Sequence, residues 1–174
     1  MQIVPLQMKH KQALKEFVAD FTVAGEDSIP AFLPNPDWSF EAMVREFDKQ
    51  SRGEDLPDGW VPGTTRFLEH DGRLLGLFNL RHRLTDNLRL FGGHVGYSVR
   101  PSDRKKGYGT LLLESAKQEA RQLGIDRVLV TCSPTNIGSA AVITKCGGKL
   151  QDTFFHEPMG HEVSRYWIEL KESA

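Results

Sequence analysis

Four basic residues and two glycines stand between a β-type run and a helix-forming run, in Val99-Arg100-Pro101-Ser102-Asp103-Arg104-Lys105-Lys106-Gly107-Tyr108-Gly109. The chemistry open to such a segment is anion binding. A strand that ends, turns through a basic glycine loop and opens a helix aims backbone N–H groups at one point, and the positive end of the helix dipole adds to them. Glycines let the main chain approach a ligand with no Cβ in the way, and phosphate is the usual ligand. Two common phosphate patterns do not fit. The G-x-x-x-x-G-K-[ST] loop is absent. The G-x-G-x-x-G dinucleotide pattern fails at its third glycine, where Leu112 stands, and no acidic residue ends the next apolar run to hold a ribose, because Val128-Leu129-Val130 passes into Thr131 and Cys132.

Periodicity supplies the elements that must hold this loop. The run 93–99 reads as the strand leading in, and 110–123 as the helix leading out, with Leu112, Ala116, Ala120 and Leu123 on one face and Gly124 as C-cap. The short β-branched run 127–131 suits a strand buried on both faces. A second helix follows over 136–145 and stops at Gly147-Gly148. Upstream, a short strand is expected over 2–6, and Leu14, Phe17, Val18 and Phe21 make a helical stripe. Residues 25–36 read as loop, Asn35-Pro36-Asp37 as a helix start, and Phe40, Met43, Val44 and Phe47 as a second stripe. Residues 51–63 read as a long polar loop. Strands are expected over 64–69 and 73–80, joined at His70-Asp71-Gly72, followed by a polar connection over 81–92. The runs 149–155 and 165–170 would close the sheet as a hairpin. The order β, α, α, β, β, β, α, β, α, β, β is that of a mixed α/β chain.

Within this frame, Arg/Gln-x-x-Gly-x-Gly/Ala directly after a strand ending in Val-x-Pro resembles the pyrophosphate loop of the GNAT superfamily of N-acetyltransferases, which bind acetyl-CoA. Arg104, Gly107 and Gly109 stand at its three defining positions. The order of elements is similar over nearly the whole chain, most closely over 94–148. The resemblance implies an α/β (α+β mixed) fold over 1–174 as one domain, with a central mixed, mostly antiparallel sheet splayed in the middle and helices on both faces. It implies cofactor contacts at Ser98, Val99, Arg104, Lys105, Lys106, Gly107, Tyr108, Gly109 and Thr110. The segment Asn136-Ile137-Gly138-Ser139 resembles the family's Asn-x-x-Ser, which assigns Asn136 to the pantetheine arm and Ser139 to the cofactor. Helix capping explains Asn136 equally well, and one side chain can do both. The sequence departs from the family where a Tyr commonly protonates the leaving thiolate, because Ile143 occupies that place.

The reaction implied is direct transfer of an acetyl group to an amine in a ternary complex, with no metal. An alkyl amine has a pKa of about 10.4, so it must lose a proton before attack. The resemblance supplies an oxyanion donor, a backbone N–H near Val99. A base is not fixed by any motif. His94 is one candidate, and Tyr97, on the face of Val99, is a candidate acid or orienting group; His82 and Glu69 lie on neighbouring strands. Family analogy places the acceptor wall at Trp38, Trp60, Glu26, Asp27, Glu54, Asp55 and Asp58, aromatic and acidic residues suited to a cationic amine. A non-catalytic acyl-CoA sensor and an unrelated diphosphate-binding protein are the competing classes.

Bulk composition agrees with this reading. Lys and Arg number 22 against 23 Asp and Glu, a balance that argues against a nucleic-acid coat or a membrane-surface protein. The partner expected is a small-molecule or peptide amine, with a homodimer compatible. Cys132 and Cys146 form no metal-spaced pair and suit reduced thiols. With no long apolar N-terminal run, the expected location is cytoplasmic.

Overall fold

In the computed structural model, residues 1–26 and 38–170 are described. Seven strands form one sheet in the order β1-β2-β3-β4-β5-β7-β6. They are β1 (Gln2–Val4), β2 (Gly63–His70), β3 (Arg73–Arg81), β4 (Val95–Val99), β5 (Arg127–Cys132), β6 (Lys149–His156) and β7 (His161–Glu169). Every neighbouring pair is antiparallel except β4 with β5. The helices are α1 (Lys11–Val23), α2 (Phe40–Arg52), α3 (Asp86–Leu90), α4 (Tyr108–Gln122) and α5 (Ile137–Lys145).

Alternation along the strands sends side chains to two cores. Phe67, Leu74 and Leu77 pack under α1 and α2 with Leu14, Phe17, Phe21 and Phe47. Leu68, Phe78, Leu80, Val95, Val128 and Val130 pack on the other face with Leu112, Leu113, Ala116 and Ala120 of α4. Gly76 allows that second packing, since a Cβ there would lie 2.7 Å from Leu112 Cδ1 and 2.8 Å from the Ser98 carbonyl oxygen. The architecture is thus the mixed α/β sheet with helices on both faces that the sequence implied.

Several boundaries differ. The first strand ends at Val4, and β4 starts at Val95 rather than at 93, because Gly92 and Gly93 have φ of +95° and +60° and turn the chain instead of extending it. The connection over 81–92 contains the one-turn helix α3, capped by the Thr85 hydroxyl, which accepts the Leu88 N–H at 3.2 Å. Residues 51 and 52 extend α2. The expected helix start at Asn35-Pro36-Asp37 lies outside the described residues; α2 begins at Phe40, with Ser39 capping the Ala42 N–H. The leading-out helix starts at Tyr108, two residues early, and its buried face carries Leu113 while Leu123 is exposed. The closing strand β7 begins at His161, four residues before the expected 165.

The sheet opens at its one parallel junction. β4 pairs with β3 along all five residues, from Gly76↔Val99 to Leu80↔Val95. With β5 it shares the single pair Val95↔Val130. Beyond Val95 the two strands part.

Candidate active site

The gap between β4 and β5 continues into a cavity of about 480 Å³. The loop after β4 forms one wall. Lys105 has φ +62° and Gly107 φ +84°, so the chain reverses twice before α4 begins. At Gly107 a left-handed residue is required, and among the described residues the space beside it is open, with no atom within 4 Å of a would-be Cβ. Gly107 has no side chain with which to cap α4, so among the described residues the first-turn N–H groups of the helix have neither an intrahelical acceptor nor a capping one. Gly109 sits where a Cβ would come 3.3 Å from Val142 Cγ2, which brings the starts of α4 and α5 close together. A concave run of uncapped amides beside open space is a fit seat for a diphosphate.

The open edge of β4 forms the second wall. His94 O accepts the Arg81 N–H at 2.8 Å, and the Arg100 N–H donates to Leu75 O at 2.9 Å. The alternation of an antiparallel ladder then turns the N–H groups of Tyr97 and Val99 towards the gap. The Tyr97 hydroxyl crosses the gap to α5, 3.0 Å from Ser139 Oγ and 3.3 Å from Ser139 O. Burial pushes the Tyr97 phenol up to about 12, so it is a proton holder at neutral pH. Asn136 Oδ1 accepts the Ser139 N–H at 3.0 Å and caps α5.

The residues expected to hold a cofactor are brought together with one exception. Ser98, Val99, Arg104 and Lys105 line the cavity, as do Gly107, Tyr108, Gly109 and Thr110, and so do Asn136 and Ser139 across the gap. Lys106 does not line it. Its Nζ turns to buried Asp103 at 2.7 Å, where Arg73 also donates. Tyr97 lines the cavity and Ile143 does not; Ile143 is fully buried in the core under α4.

The expectation for His94 needs correction. Its side chain is buried and does not line the cavity. Its Nδ1 accepts the Leu129 N–H at 2.9 Å, while the His94 backbone N–H donates to Leu129 O at 2.7 Å. With the Nδ1 lone pair occupied, the neutral ring carries its proton on Nε2 and has no lone pair left to act as a base. Burial, with Arg89 and Arg81 nearby, lowers its pKa to about 4. His94 is the clasp that closes β4 on β5 just below the gap. His82 Nε2 pairs with Thr64 Oγ1 at 2.7 Å, and Glu69 pairs with Lys9 and His10, both away from the cavity.

Of the expected acceptor wall, Asp27 lies outside the described residues. Trp38 and Trp60 are exposed, while Glu54 and Asp55 pair with Arg52 and Lys49; none of these, nor Asp58, lines the cavity. Glu26 does line it, on the side of the loop before α4, as an ion-pair partner of Arg104. Among the described residues, Gly138 and Val142 complete the lining. Val142 had a legible signal, since it lies one turn after Gly138 on the α5 face turned to α4.

No curated protein resembles the chain closely enough in sequence to match. Solved structures of the same fold are numerous. The yncA protein of Salmonella typhimurium, solved with its cofactor acetyl-CoA, is 18% identical with a TM-score of 0.64, covering 99% of this chain and 95% of that one. RimL, a ribosomal L7/L12 alpha-N-protein acetyltransferase solved with coenzyme A, is 16% identical with a TM-score of 0.68, covering 96% and 92%. A mutant of the spermidine N-acetyltransferase SpeG from Vibrio cholerae is 14% identical with a TM-score of 0.63, covering 98% and 95%. The family model of the acetyltransferase (GNAT) domain matches residues 1–149. Splayed strands, a basic loop with Arg104, Gly107 and Gly109, and this match over most of the sequence lead to one assignment: the chain belongs to the GNAT family of acetyltransferase domains.

Proposed function

We propose that this protein moves an acetyl group from acetyl-CoA to a primary amine of a small molecule or peptide, by direct attack in a ternary complex. One observation carries the reading: the uncapped start of α4 and the open edge of β4 face the same cavity. The α4 amides and Lys105 bind the diphosphate. Asn136 and Ser139 border the arm that runs on between the strands. The N–H groups on the open edge of β4, that of Val99 among them, meet the thioester oxygen; preorganised donors of this kind contribute about 3 kcal/mol to the transition state.

Tyr97 takes the place of the absent Tyr at Ile143. A thiol has a pKa of about 8.5, so full proton transfer from a phenol held near 12 runs uphill. The Tyr97 hydroxyl therefore steadies the departing sulfur by donating a hydrogen bond. Among the described residues, the only carboxylate lining the cavity is Glu26, which is committed to Arg104. The amine accordingly gives its proton to solvent before attack.

The test is release of free CoA thiol from acetyl-CoA with a panel of amines. The panel includes polyamines and peptide N-termini, because the fold relatives act on both kinds. An amine-dependent rate is expected, with log kcat/KM rising at unit slope below the pKa of the acceptor as the neutral amine accumulates, to about pH 9 for alkyl amines and levelling at about pH 8 for peptide N-termini. Acetyl-CoA binding with no amine-dependent thiol would leave a sensor. Stabilisation by ATP or NAD and not by acetyl-CoA would remove the assignment of the cavity.

A further inference from the structure

The guanidinium best placed for the diphosphate is already occupied. Arg104 Nη2 lies 2.8 Å from Glu26 Oε2, and its Nη1 meets Oε1 of the same carboxylate. Its Nε donates to Val99 O at 3.3 Å, and its guanidinium lies 5.8 Å from the centroid of the Phe21 ring. Glu26 follows the end of α1 by three residues and lines the cavity itself. Its carboxyl is held below the usual range by the Arg104 hydrogen bonds.

Two of the other three cations of the loop are also committed. Arg100 Nε lies 3.6 Å from Asp20, whose carboxylate also accepts the Ser102 N–H at 2.9 Å. Lys106 is bound to Asp103. Among the described residues, Lys105 is the one cation of this loop with no carboxylate within ion-pair distance. A segment that reads as strongly basic is therefore close to neutral in the folded protein.

We propose that Glu26 is an internal competitor for the diphosphate of the cosubstrate: its carboxylate holds the fork of Arg104 and must leave before phosphate oxygens can take that fork. This rests on the acetyl-CoA reading of the cavity. A carboxylate and a phosphate each offer a pair of oxygens at the spacing of the two Nη donors, so they are alternatives for the same two N–H groups. The pair sits at the cavity mouth, with side chains 34% and 43% exposed, so breaking it is affordable in water and exchange does not require unfolding. Neutralising the loop from within also lowers its attraction for unrelated anions, leaving selection to ligands that satisfy the α4 amides as well.

The opposite role, in which Glu26 merely holds Arg104 in position, predicts the opposite sign. Acetyl-CoA titrations by calorimetry on the wild type, Glu26→Gln, Arg104→Ala and the double variant separate the two, with melting curves confirming that each variant is folded. Competition gives Glu26→Gln a dissociation constant about two- to fivefold lower than wild type, the range of an exposed ion pair. In the Arg104→Ala background the gain disappears, because no fork remains to be freed. Unchanged or weaker binding by Glu26→Gln overturns the proposal, and so does a gain of equal size without Arg104, which would be a bulk charge effect. Wild-type protein that fails to bind acetyl-CoA overturns the reading of the cavity and this inference with it; normal wild-type binding with the wrong cycle overturns this inference alone.

Discussion

The two edges of β4 use the same five residues to opposite ends. Towards β3, each residue from Val95 to Val99 has a partner. Towards β5, one residue does. Unpaired backbone groups inside a protein are costly, so an interior strand left half open requires something in compensation. Here the open edge faces a cavity that solvent or a ligand can fill, and the gap is spanned by Tyr97 to Ser139 instead of by a ladder. The closed edge makes the fold, and the open edge makes the site by withholding pairs. Substitutions on the two sides should therefore separate binding from stability.

The strongest way to break the contrast is to fill the open side. Gly109→Glu puts a carboxylate at the start of α4, where the diphosphate belongs, with its Cβ crowding Val142 by a few tenths of an ångström. Acetyl-CoA affinity should fall by more than about a hundredfold, as like charges meet in a desolvated seat. The melting temperature should change little, because the β3–β4 ladder is untouched and an acid in the first turn favours the helix. Retained binding would mean that the cosubstrate sits elsewhere; loss of the fold would make Gly109 structural.

A smaller effect is expected from Tyr97→Phe, which removes the one side-chain bridge across the gap named above. The kcat should drop about ten- to a hundredfold with the acetyl-CoA dissociation constant nearly unchanged. Stability should fall by about 1 kcal/mol for the lost bond to Ser139. Because the phenol is pushed up to about 12, the wild-type pH profile should show no descending limb through pH 10. A limb near pH 10 would mean a phenol unperturbed by its site.

What was legible in the sequence follows the same division. The loop, the two glycines and Asn136-x-x-Ser139 are local patterns, each fixed by what a turn or helix start requires, and the chain places them where the pattern says. The Arg104–Glu26 pair joins residues 78 positions apart, and no spacing rule reaches that far. The place of His94 is hidden in the sequence for a related reason. A histidine beside a β-run looks available in sequence, and only the approach of Leu129 from β5 shows that its ring is spent as a backbone partner. The one-turn helix α3 leaves no hydrophobic period in the sequence because five residues are too few, although Thr85 ahead of Asp86 is a cap signal.

His94 stands where the two edges of β4 meet, so its variant sharpens the comparison with the least expected loss of turnover. Its pKa is about 4 in the folded state and 6.5 ordinarily. Between those values the unfolded chain binds the extra proton, so stability is full above about pH 6.5 and falls as the pH drops through 4. A difference of 6.5 − 4 corresponds to about 3 kcal/mol. His82, also lowered by burial, contributes with the same sign, so the useful quantity is wild type minus variant. Carboxylates such as Asp20 and Asp152, lowered by their partners, lose their contribution only at more acid pH. His94→Gln keeps a side-chain oxygen for the Leu129 N–H and has no group to protonate. Urea melts from pH 7 to 4.5 should show a shallower decline for the variant, and turnover at pH 8 should stay within about threefold of wild type. A turnover loss of a hundredfold with an unchanged stability profile would return His94 to the chemistry and make the clasp incidental.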